Sequence, residues 1–367
     1  MVAALMAILL TCSAPSPSDR DVTLAAGRNT ASSWTPSVGG ASLEPDSLAA
    51  PARLRPTRGI RSLVEDRDGT LWFGATDYVA RFDGKTLTYL DTADGFCCPE
   101  GATVQAGPAG DLWFQSGTTV CRWDGTRFLG PFTLDPAIEP LPWASADGEV
   151  WFTKIPQRLG ETPGPPGMYA LDNGAFTFHA FPVPDDPKAH TWYYPSTGTV
   201  RGRDGIVWFG TMRAAFGFDG AKLAVVDRAR MGRDDDPREV GIRGLLADSR
   251  GRLWLADNGY GVVVVDGDDV THFTAEHRLG PGDRDGPTLH RAFSIFEDRD
   301  GIMWFGTVYS GVWRWDGKTF THYGADDGVA SDTIWGITQL RDGRLMLLGD
   351  TPGAVYAFDG ERFGRAF

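Results

Sequence analysis

Lysine is scarce in this chain: only five of its 35 basic residues are lysines, and the other 30 are arginines. The 48 acidic residues outnumber the bases and give a formal net charge of −13. Because that charge repels phosphate backbones and acidic membranes, a nucleic-acid partner is excluded. Apolar residues make up 42% and charged residues 23% of the chain, which is ordinary for a globular protein and excludes disorder throughout.

Catalytic signatures are also missing. There is no GxSxG, P-loop or dinucleotide fingerprint, and the six histidines form neither an HxH nor an HExxH motif. The four cysteines contain no CxxC pair, so a zinc or thioredoxin-like site has no support. The sequence therefore predicts no enzyme, no cofactor and no metal site.

No long apolar run marks a membrane span at the N-terminus. The apolar stretch 2–10 has nine residues, far fewer than the roughly 20 that cross a bilayer, and suits a secretory signal peptide. With Leu9 three positions before Cys12, this end resembles the lipobox of bacterial lipoproteins. The resemblance implies a signal peptide over 1–12, lipidation of Cys12, and a periplasmic or cell-surface location. A plain secretory signal with an incidental cysteine is the alternative.

Residues 13–56 are rich in Ser, Pro, Ala, Thr and Gly, and Trp34 is their only aromatic residue. So little apolar surface does not offset the entropy lost on ordering. We expect a flexible tether, with packing of the part around Trp34 as an extra edge strand as the alternative.

What the chain has in excess is tryptophan and glycine, with 13 and 47 residues. A search for internal repeats accounts for both. Residues 60–90 (IRSLVEDRDGTLWFGATDYVARFDGKTLTYL) match 292–323 almost residue for residue. Seven copies follow one another, 38 to 57 residues apart, anchored at Trp72, Trp113, Trp151, Trp208, Trp254, Trp304 and Met346.

Each copy holds four short β-rich segments and two Asp-Gly-type turns, which are hairpin signals. A small residue recurs in the first segment, where inner strands converge on an axis. LWFG is a fully apolar strand, with Trp as the contact to the neighbouring blade. The pattern predicts an all-β fold, a seven-bladed β-propeller of four-stranded antiparallel blades, over residues 57–367. The calcium-like turns at 66–69 and 298–301 lack the acid that completes an EF-hand loop.

These motifs (E-D-x-D-G, L-W-F-G, R-F-D-G and F-T-x-Y) resemble the two-component regulator propeller family, most specifically in the first and sixth copies. In that family the repeats form the periplasmic sensor of hybrid histidine kinases, often for carbohydrate fragments. The resemblance implies the propeller fold and a binding character, and carries over no signalling activity.

The connections after the second and fourth strands are long and share one face, which we call the loop-rich face. Binding residues concentrate on such loops. Aromatic rings with interspersed arginines suit carbohydrates, acidic ones above all, through stacking and charge-assisted hydrogen bonds. Alternatively, the residues that line the channel only fill its mouth and hold water there. Alignment from the first turn predicts that the channel is ringed by Arg58, Arg61, Tyr194, Arg243, His290, Arg291, Asp332 and Trp335.

Two further loops carry candidate residues. Trp192, Tyr193 and Tyr194 form an aromatic run that indicates either a binding face or a satellite core on blade 4. The acidic run 234–236 is typical of a solvated loop, with cation binding as the alternative.

Three cysteines remain in addition to Cys12. Two of them, Cys97 and Cys98, lie in the loop between blades 1 and 2, and the third, Cys121, begins the third strand of blade 2. Since both places lie towards the loop-rich face, an exported chain permits a disulfide from Cys121 to either member of the pair. His272 and His322 fall in fourth strands, and we expect them to face solvent.

Three functions fit the sequence. The first is a non-catalytic, sensor-like module that binds a small molecule, an oligosaccharide or an envelope protein. The second is a lyase: segments such as DGEVWFT resemble the streptogramin B lyases, and His290 with Glu239 or Glu276 could imitate their catalytic pair. The third is a docking platform in the envelope.

Overall fold

The chain folds into seven antiparallel sheets, each built from one continuous stretch of sequence. The structure, a computed structural model, describes residues 53–57, 59–146, 150–154, 164–172, 174–185, 187–233 and 241–367. Six sheets have four strands, and the third has three within these residues. The predicted seven-bladed propeller is confirmed. The predicted signal peptide, Cys12 and nearly all of the tether lie outside the described residues.

The strands follow in chain order. Blade 1 contains β1 (Ile60–Glu65), β2 (Leu71–Ala75), β3 (Val79–Phe82) and β4 (Leu87–Tyr89). Blade 2 contains β5 (Thr103–Ala106), β6 (Leu112–Ser116), β7 (Thr119–Trp123) and β8 (Phe128–Thr133). Blade 3 contains β9 (Val150–Thr153), β10 (Gly167–Asp172) and β11 (Ala175–Ala180). Blade 4 contains β12 (Val200–Arg201), β13 (Val207–Gly210), β14 (Ala215–Phe218) and β15 (Leu223–Val226).

Blade 5 contains β16 (Ile242–Ala247), β17 (Leu253–Asp257), β18 (Gly261–Asp266) and β19 (Asp269–Thr271). Blade 6 contains β20 (Ala292–Glu297), β21 (Met303–Thr307), β22 (Val312–Trp315) and β23 (Phe320–Tyr323). Blade 7 contains β24 (Ile334–Gln339), β25 (Leu345–Gly349), β26 (Val355–Phe358) and β27 (Phe363–Arg365). Within the described residues two short α-helices, α1 (Pro187–His190) and α2 (Phe273–Glu276), lie in the connections, together with short 3-10 turns. No helix in the described part of the chain is long and apolar enough to cross a bilayer.

The core lies between the blades. Seven apolar clusters of described residues fill the spaces between neighbouring blades, one per space. The second strands supply much of this surface, because all five residues of β2, β17, β21 and β25 are buried. This is the environment that the LWFG segments predict.

In blades 1, 5 and 6 an aspartate of the first turn holds the tryptophan anchor in place. In three blades the indole Nε1 donates a hydrogen bond of 2.8 Å to the carboxylate six positions earlier: Trp72 to Asp66, Trp254 to Asp248 and Trp304 to Asp298. The other carboxylate oxygen accepts turn backbone N–H groups, as Asp298 does from Asp300 and Ile302. The E-D-x-D-G motif therefore closes the turn and orients the anchor.

The ring closes between blades 7 and 1 without a shared strand. One cluster joins Phe73 and Ile60 of blade 1 to Met346 of blade 7. Phe367 is buried against the rings of Phe73 and Phe82, at centroid distances of 4.8 and 5.2 Å. The predicted tether ends in the same cluster, where Leu54 is buried. Apolar packing is thus the main closure of the ring.

Replacing Phe367 with alanine is expected to lower the free energy of unfolding by about 2 kcal/mol, the value of one buried aromatic side chain. Chemical denaturation followed by tryptophan fluorescence measures the loss. Leu141→Ala, at a residue 44% exposed, is the control and should change stability by less than about 0.5 kcal/mol. Equal losses in the two variants would contradict the closure role of Phe367.

Candidate functional site

Four inner strands carry a bulge at the same position. The register against the second strand shifts between the first and third residues of β1, β16, β20 and β24. A bulge leaves one residue outside the ladder and re-aims its side chain. The four bulged residues are Arg61, Arg243, Phe293 and Trp335.

The small residue after each bulge lets neighbouring inner strands approach. Ser62 Oγ accepts from the Val104 backbone N–H at 2.8 Å, and Ser294 Oγ donates to the Ile334 carbonyl at 2.9 Å. A Cβ on Gly244 would lie 2.9 Å from the Phe293 carbonyl oxygen. The small residue predicted near the axis is therefore required by backbone contact between blades.

The bulged side chains contact one another in a line, which we call the axial row. The Arg61 guanidinium carbon lies 3.4 Å from the Trp335 ring centroid, and Trp335 meets Phe293 edge to face at 4.5 Å. The Arg243 guanidinium lies 5.6 Å from the Phe293 ring. Two cations thus flank two aromatic rings.

Both guanidiniums of the axial row are partly withdrawn from water. Burial lowers the pKa of Arg61, while Asp350 acts in the opposite direction. Burial likewise lowers the pKa of Arg243, against the influence of Asp257. A guanidinium remains protonated at neutral pH, so the row carries two charges in a setting where water screens them weakly.

Several polar atoms of the axial row have no hydrogen-bond partner among the described residues. They are Arg61 Nη1, Arg243 Nε and Trp335 Nε1, all buried N–H donors, together with the acceptor Asp350 Oδ1. Gly59 makes room here, since a Cβ on it would lie 2.8 Å from Asp350 Oδ1. Buried donors of this kind are what an oxygen-rich ligand satisfies.

The mouth of the channel carries an exposed aromatic residue that the sequence did not single out. Tyr309 is 71% exposed and adopts a positive φ of 63°. Its backbone N–H donates to the Asp332 carbonyl at 2.6 Å, and the exposed Arg291 guanidinium lies 5.3 Å from its ring. The only sequence signal was an aromatic residue in the TVYSG loop after β21, which is shorter than we expect for a connection after a second strand.

The predicted aromatic run at 192–194 divides between surface and core. Tyr194 is buried, its hydroxyl donates to the Gly164 carbonyl at 2.7 Å, and burial raises its pKa to about 12. Tyr193 packs against the cluster between blades 3 and 4. Trp192 is half-buried, with the Arg213 guanidinium 5.5 Å from its ring. Trp192 and Tyr193 are thus both half-buried, and only Tyr194 belongs to the core.

Some predicted positions fall outside the described residues: Arg58, Glu239 and the acidic run 234–236. Glu276 ends α2 and is exposed, and it is not among the residues that line the cavity containing His290.

That cavity lies in blade 5 on the loop-rich face and measures about 530 Å³. His272, His290, Asp283 and Tyr260 line it. Burial and the nearby Arg233 lower the pKa of His272, so its imidazole is neutral at neutral pH. The expectation that His272 faces solvent is wrong, because α2 and the 280–290 loop cover that end of the blade.

His322 is also less exposed than expected. Its Nε2 lies 2.9 Å from the Ser310 carbonyl oxygen, and burial lowers the pKa of the imidazole. The reason is the β22–β23 hairpin, which pairs His322 with Trp313 and places their rings 5.0 Å apart.

A buried ion pair contacts Tyr260, one of the residues that line the cavity. Arg233 Nη1 lies 2.6 Å from Asp257 Oδ2, and the two side chains are 1% and 3% exposed. The Arg233 guanidinium also lies 3.8 Å from the Tyr260 ring. Asp257 therefore forms an ion pair with Arg233, and its charge also raises the pKa of Arg243 against the effect of burial.

Cys97 and Cys121 form a disulfide, with Cα atoms 6.0 Å apart. This choice was open in the sequence, which allowed either Cys97 or Cys98. Cys98 is a buried free thiol whose pKa burial raises to about 11, against a hydrogen bond with the Ser116 backbone.

Comparison with known proteins agrees with this architecture. A family model described as two component regulator propeller matches residues 55–77 and 287–309. These segments contain the first two strands of blades 1 and 6, where the sequence resemblance is most specific, and that resemblance is confirmed. None of the curated proteins matches the chain in sequence.

Solved structures with the same fold as this chain come from several classes of protein. A catalytically inactive virginiamycin B lyase from Staphylococcus aureus, solved with quinupristin, is 15% identical with a TM-score of 0.57, and the match covers 80% of this chain and 92% of the lyase. YCF48 from Cyanidioschyzon merolae is 14% identical with a TM-score of 0.53, over 83% and 97% of the two chains.

The extracellular domain of a putative one component system from B. thetaiotaomicron is 14% identical with a TM-score of 0.56, over 82% of this chain and 38% of that one. At such identities these likenesses show a shared fold alone.

Proposed function

We propose that the chain is a non-catalytic, sensor-like binding module that takes a carboxylate-bearing oligosaccharide at the mouth of its axial channel. The axial row carries this proposal. It offers two partly buried guanidiniums and two aromatic rings within 5.6 Å of their neighbours along one line.

The chemistry of the row favours an acidic sugar over a neutral one. A guanidinium binds a carboxylate through paired, charge-assisted hydrogen bonds, and partial burial strengthens them. An aromatic ring stacks on the apolar face of a sugar, and Trp335 Nε1 and Arg243 Nε are buried donors without partners in the described structure. The net charge of −13 would repel acidic ligands elsewhere on the surface.

We also propose that the chain is exported and anchored by lipid at Cys12. The signal-like segment 1–12 supports this, as does the extracellular location of the domain from B. thetaiotaomicron that shares the fold. Mass spectrometry of the mature N-terminus tests it. A mature chain that begins elsewhere than at a diacylglyceryl Cys12 would refute the anchor.

Isothermal titration calorimetry tests the ligand class by comparing the affinity for trigalacturonate with the affinity for the neutral galactose trimer. Arg61→Ala and Arg243→Ala are each expected to weaken trigalacturonate binding by about 1.5–3 kcal/mol, or roughly 10- to 100-fold. Arg344→Ala, on the turn after β24 at the opposite face, is the matched control and should leave affinity unchanged. Circular dichroism verifies that each variant is folded.

Equal affinity for the acidic and neutral trimers, or affinity that survives both arginine substitutions, would overturn the proposal. Binding that appears only with a peptide would assign the face to a protein partner instead, as in YCF48, which has been solved with a D1 peptide.

The blade-5 cavity favours one second candidate, a lyase. It brings His290 together with Asp283 and a neutral His272, which are groups suited to proton transfer. Virginiamycin B lyase, solved with quinupristin, shares the fold. Incubation with quinupristin and chromatography of the products separate the two functions. The binding proposal expects unchanged quinupristin, whereas a product that His290→Ala abolishes would establish the lyase.

A further inference from the structure

Three cysteines converge beside blade 2. Cys97 and Cys98 come from the loop between β4 and β5, and Cys121 comes from the middle of β7. The sulfur atoms of all three lie within 4.8 Å of one another, and those of Cys97 and Cys98 are 3.7 Å apart. The function proposed above uses none of these groups.

The 3.7 Å between the Cys97 and Cys98 sulfurs suits a shared ion, whereas the Cys97 and Cys121 sulfurs are bonded to each other and separate only on reduction. For an ion bound at about 2.3 Å from each of three thiolates, neighbouring sulfurs lie about 4 Å apart. Within the described residues no histidine or carboxylate joins the cysteines to supply a fourth ligand. Three sulfurs and no harder ligand suit a soft ion that accepts three-coordination, rather than zinc, which takes four ligands.

We propose that the chain, once its Cys97–Cys121 disulfide is reduced, binds one Cu(I) ion through the sulfurs of Cys97, Cys98 and Cys121. A dithiol supplies the reduction: it transfers two electrons and two protons to the disulfide, and becomes a cyclic disulfide itself. Cu(I) then forms bonds to sulfur as the thiol protons leave to solvent. At this site the oxidised chain has only the Cys98 thiol, and it binds no Cu(I) there.

The surroundings of the three sulfurs protect a bound Cu(I) ion. Cys98 and Cys121 are buried in an apolar cluster with Phe96 and Phe114, which excludes water. Cys97 is half-buried and provides the side open to solvent. Its backbone N–H lies 3.0 Å from Cys121 Sγ and stabilises charge on that sulfur.

Anaerobic titration of the reduced full-length chain with Cu(I), in competition with bathocuproine disulfonate, tests the proposal. Cys12→Ser is the background, because Cys12 is the fourth thiol. We expect one Cu(I) per chain, three Cu–S bonds in the X-ray absorption spectrum, and no Cu(I) bound to the oxidised chain. Cys98→Ser is expected to weaken binding by about 100-fold or more, since losing even an outer-shell partner costs about 10- to 100-fold.

Cys97→Ser is the second variant, because its side chain is half-buried and the substitution is tolerated more readily than one at buried Cys121. Circular dichroism of each reduced protein verifies its fold. Copper affinity that is the same in the Cys97→Ser and Cys98→Ser variants as in the background would overturn the proposal, and so would a two-coordinate absorption spectrum.

Discussion

Trp254→Ala is expected to lower the free energy of unfolding by about 3–5 kcal/mol, as large-to-small changes at buried aromatic residues do. Trp254 is fully buried and contacts the rings of Phe273 and Phe305 at 5.1 and 6.0 Å. The change removes this packing between blades 5 and 6 and also leaves Asp248 Oδ2 without its indole donor. Urea denaturation followed by circular dichroism measures the loss.

Trp254→Phe separates the two contributions. Phenylalanine keeps a six-membered ring but removes the N–H together with two ring carbons, so a loss of about 1.5–3 kcal/mol is expected, mainly from the hydrogen bond to a charged group. Burial alone would raise the pKa of Asp248, but hydrogen bonds from Trp254 and Arg252 outweigh it and hold that pKa below its ordinary value. Without the indole N–H the pKa of Asp248 should rise.

Tyr309→Ala, at the exposed mouth, is the control and should change stability by less than about 0.5 kcal/mol. If Trp254→Ala were as mild as that control, the anchor role would be wrong.

Arg233→Ala is expected to cost about 3–5 kcal/mol of stability, because it removes the guanidinium that lies against the buried Asp257 carboxylate. The Arg233–Asp257 contact of 2.6 Å is almost completely screened from solvent. A matched pair is available in Arg344 and Asp342, which are 2.7 Å apart but 45% and 52% exposed. Arg344→Ala should cost less than about 1 kcal/mol, since water already solvates that carboxylate.

The double variant Arg233→Ala with Asp257→Ala should recover part of the loss, because it removes the buried charge itself. Thermal denaturation of the two single variants and the double variant gives the coupling energy. If the double variant were no more stable than Arg233→Ala, packing rather than charge would account for the stability that Arg233 contributes.

The fold could be predicted from local sequence because each blade is a short, repeated unit. Turn, apolar strand, turn and aromatic strand recur at each tryptophan anchor, and neighbouring copies bury one another in the same way. The same alignment placed Arg61, Arg243 and Trp335 in one slot near the axis. Phe293 occupies that slot in blade 6 and could have been found there.

Other parts of the site had no such signal. Tyr309 lies in a short loop whose residues vary from blade to blade, and its exposure depends on a positive φ that the sequence did not indicate. Asp248 accepts a hydrogen bond from the indole of Trp254, six positions later in the chain. This bond can be recognised only when the backbone conformation of the turn between them is known.

The repeat by itself determined the number of blades, their anchors and the face that carries the long loops, because these follow from periodic, short-range patterns of apolar and turn residues. Only the tertiary structure decided that Tyr194 turns into the core, that His272 lines a cavity and that Cys97, rather than Cys98, pairs with Cys121. These outcomes depend on where long, non-repeating loops bring side chains from separate blades. That placement results from contacts distant in sequence, which a local pattern does not specify.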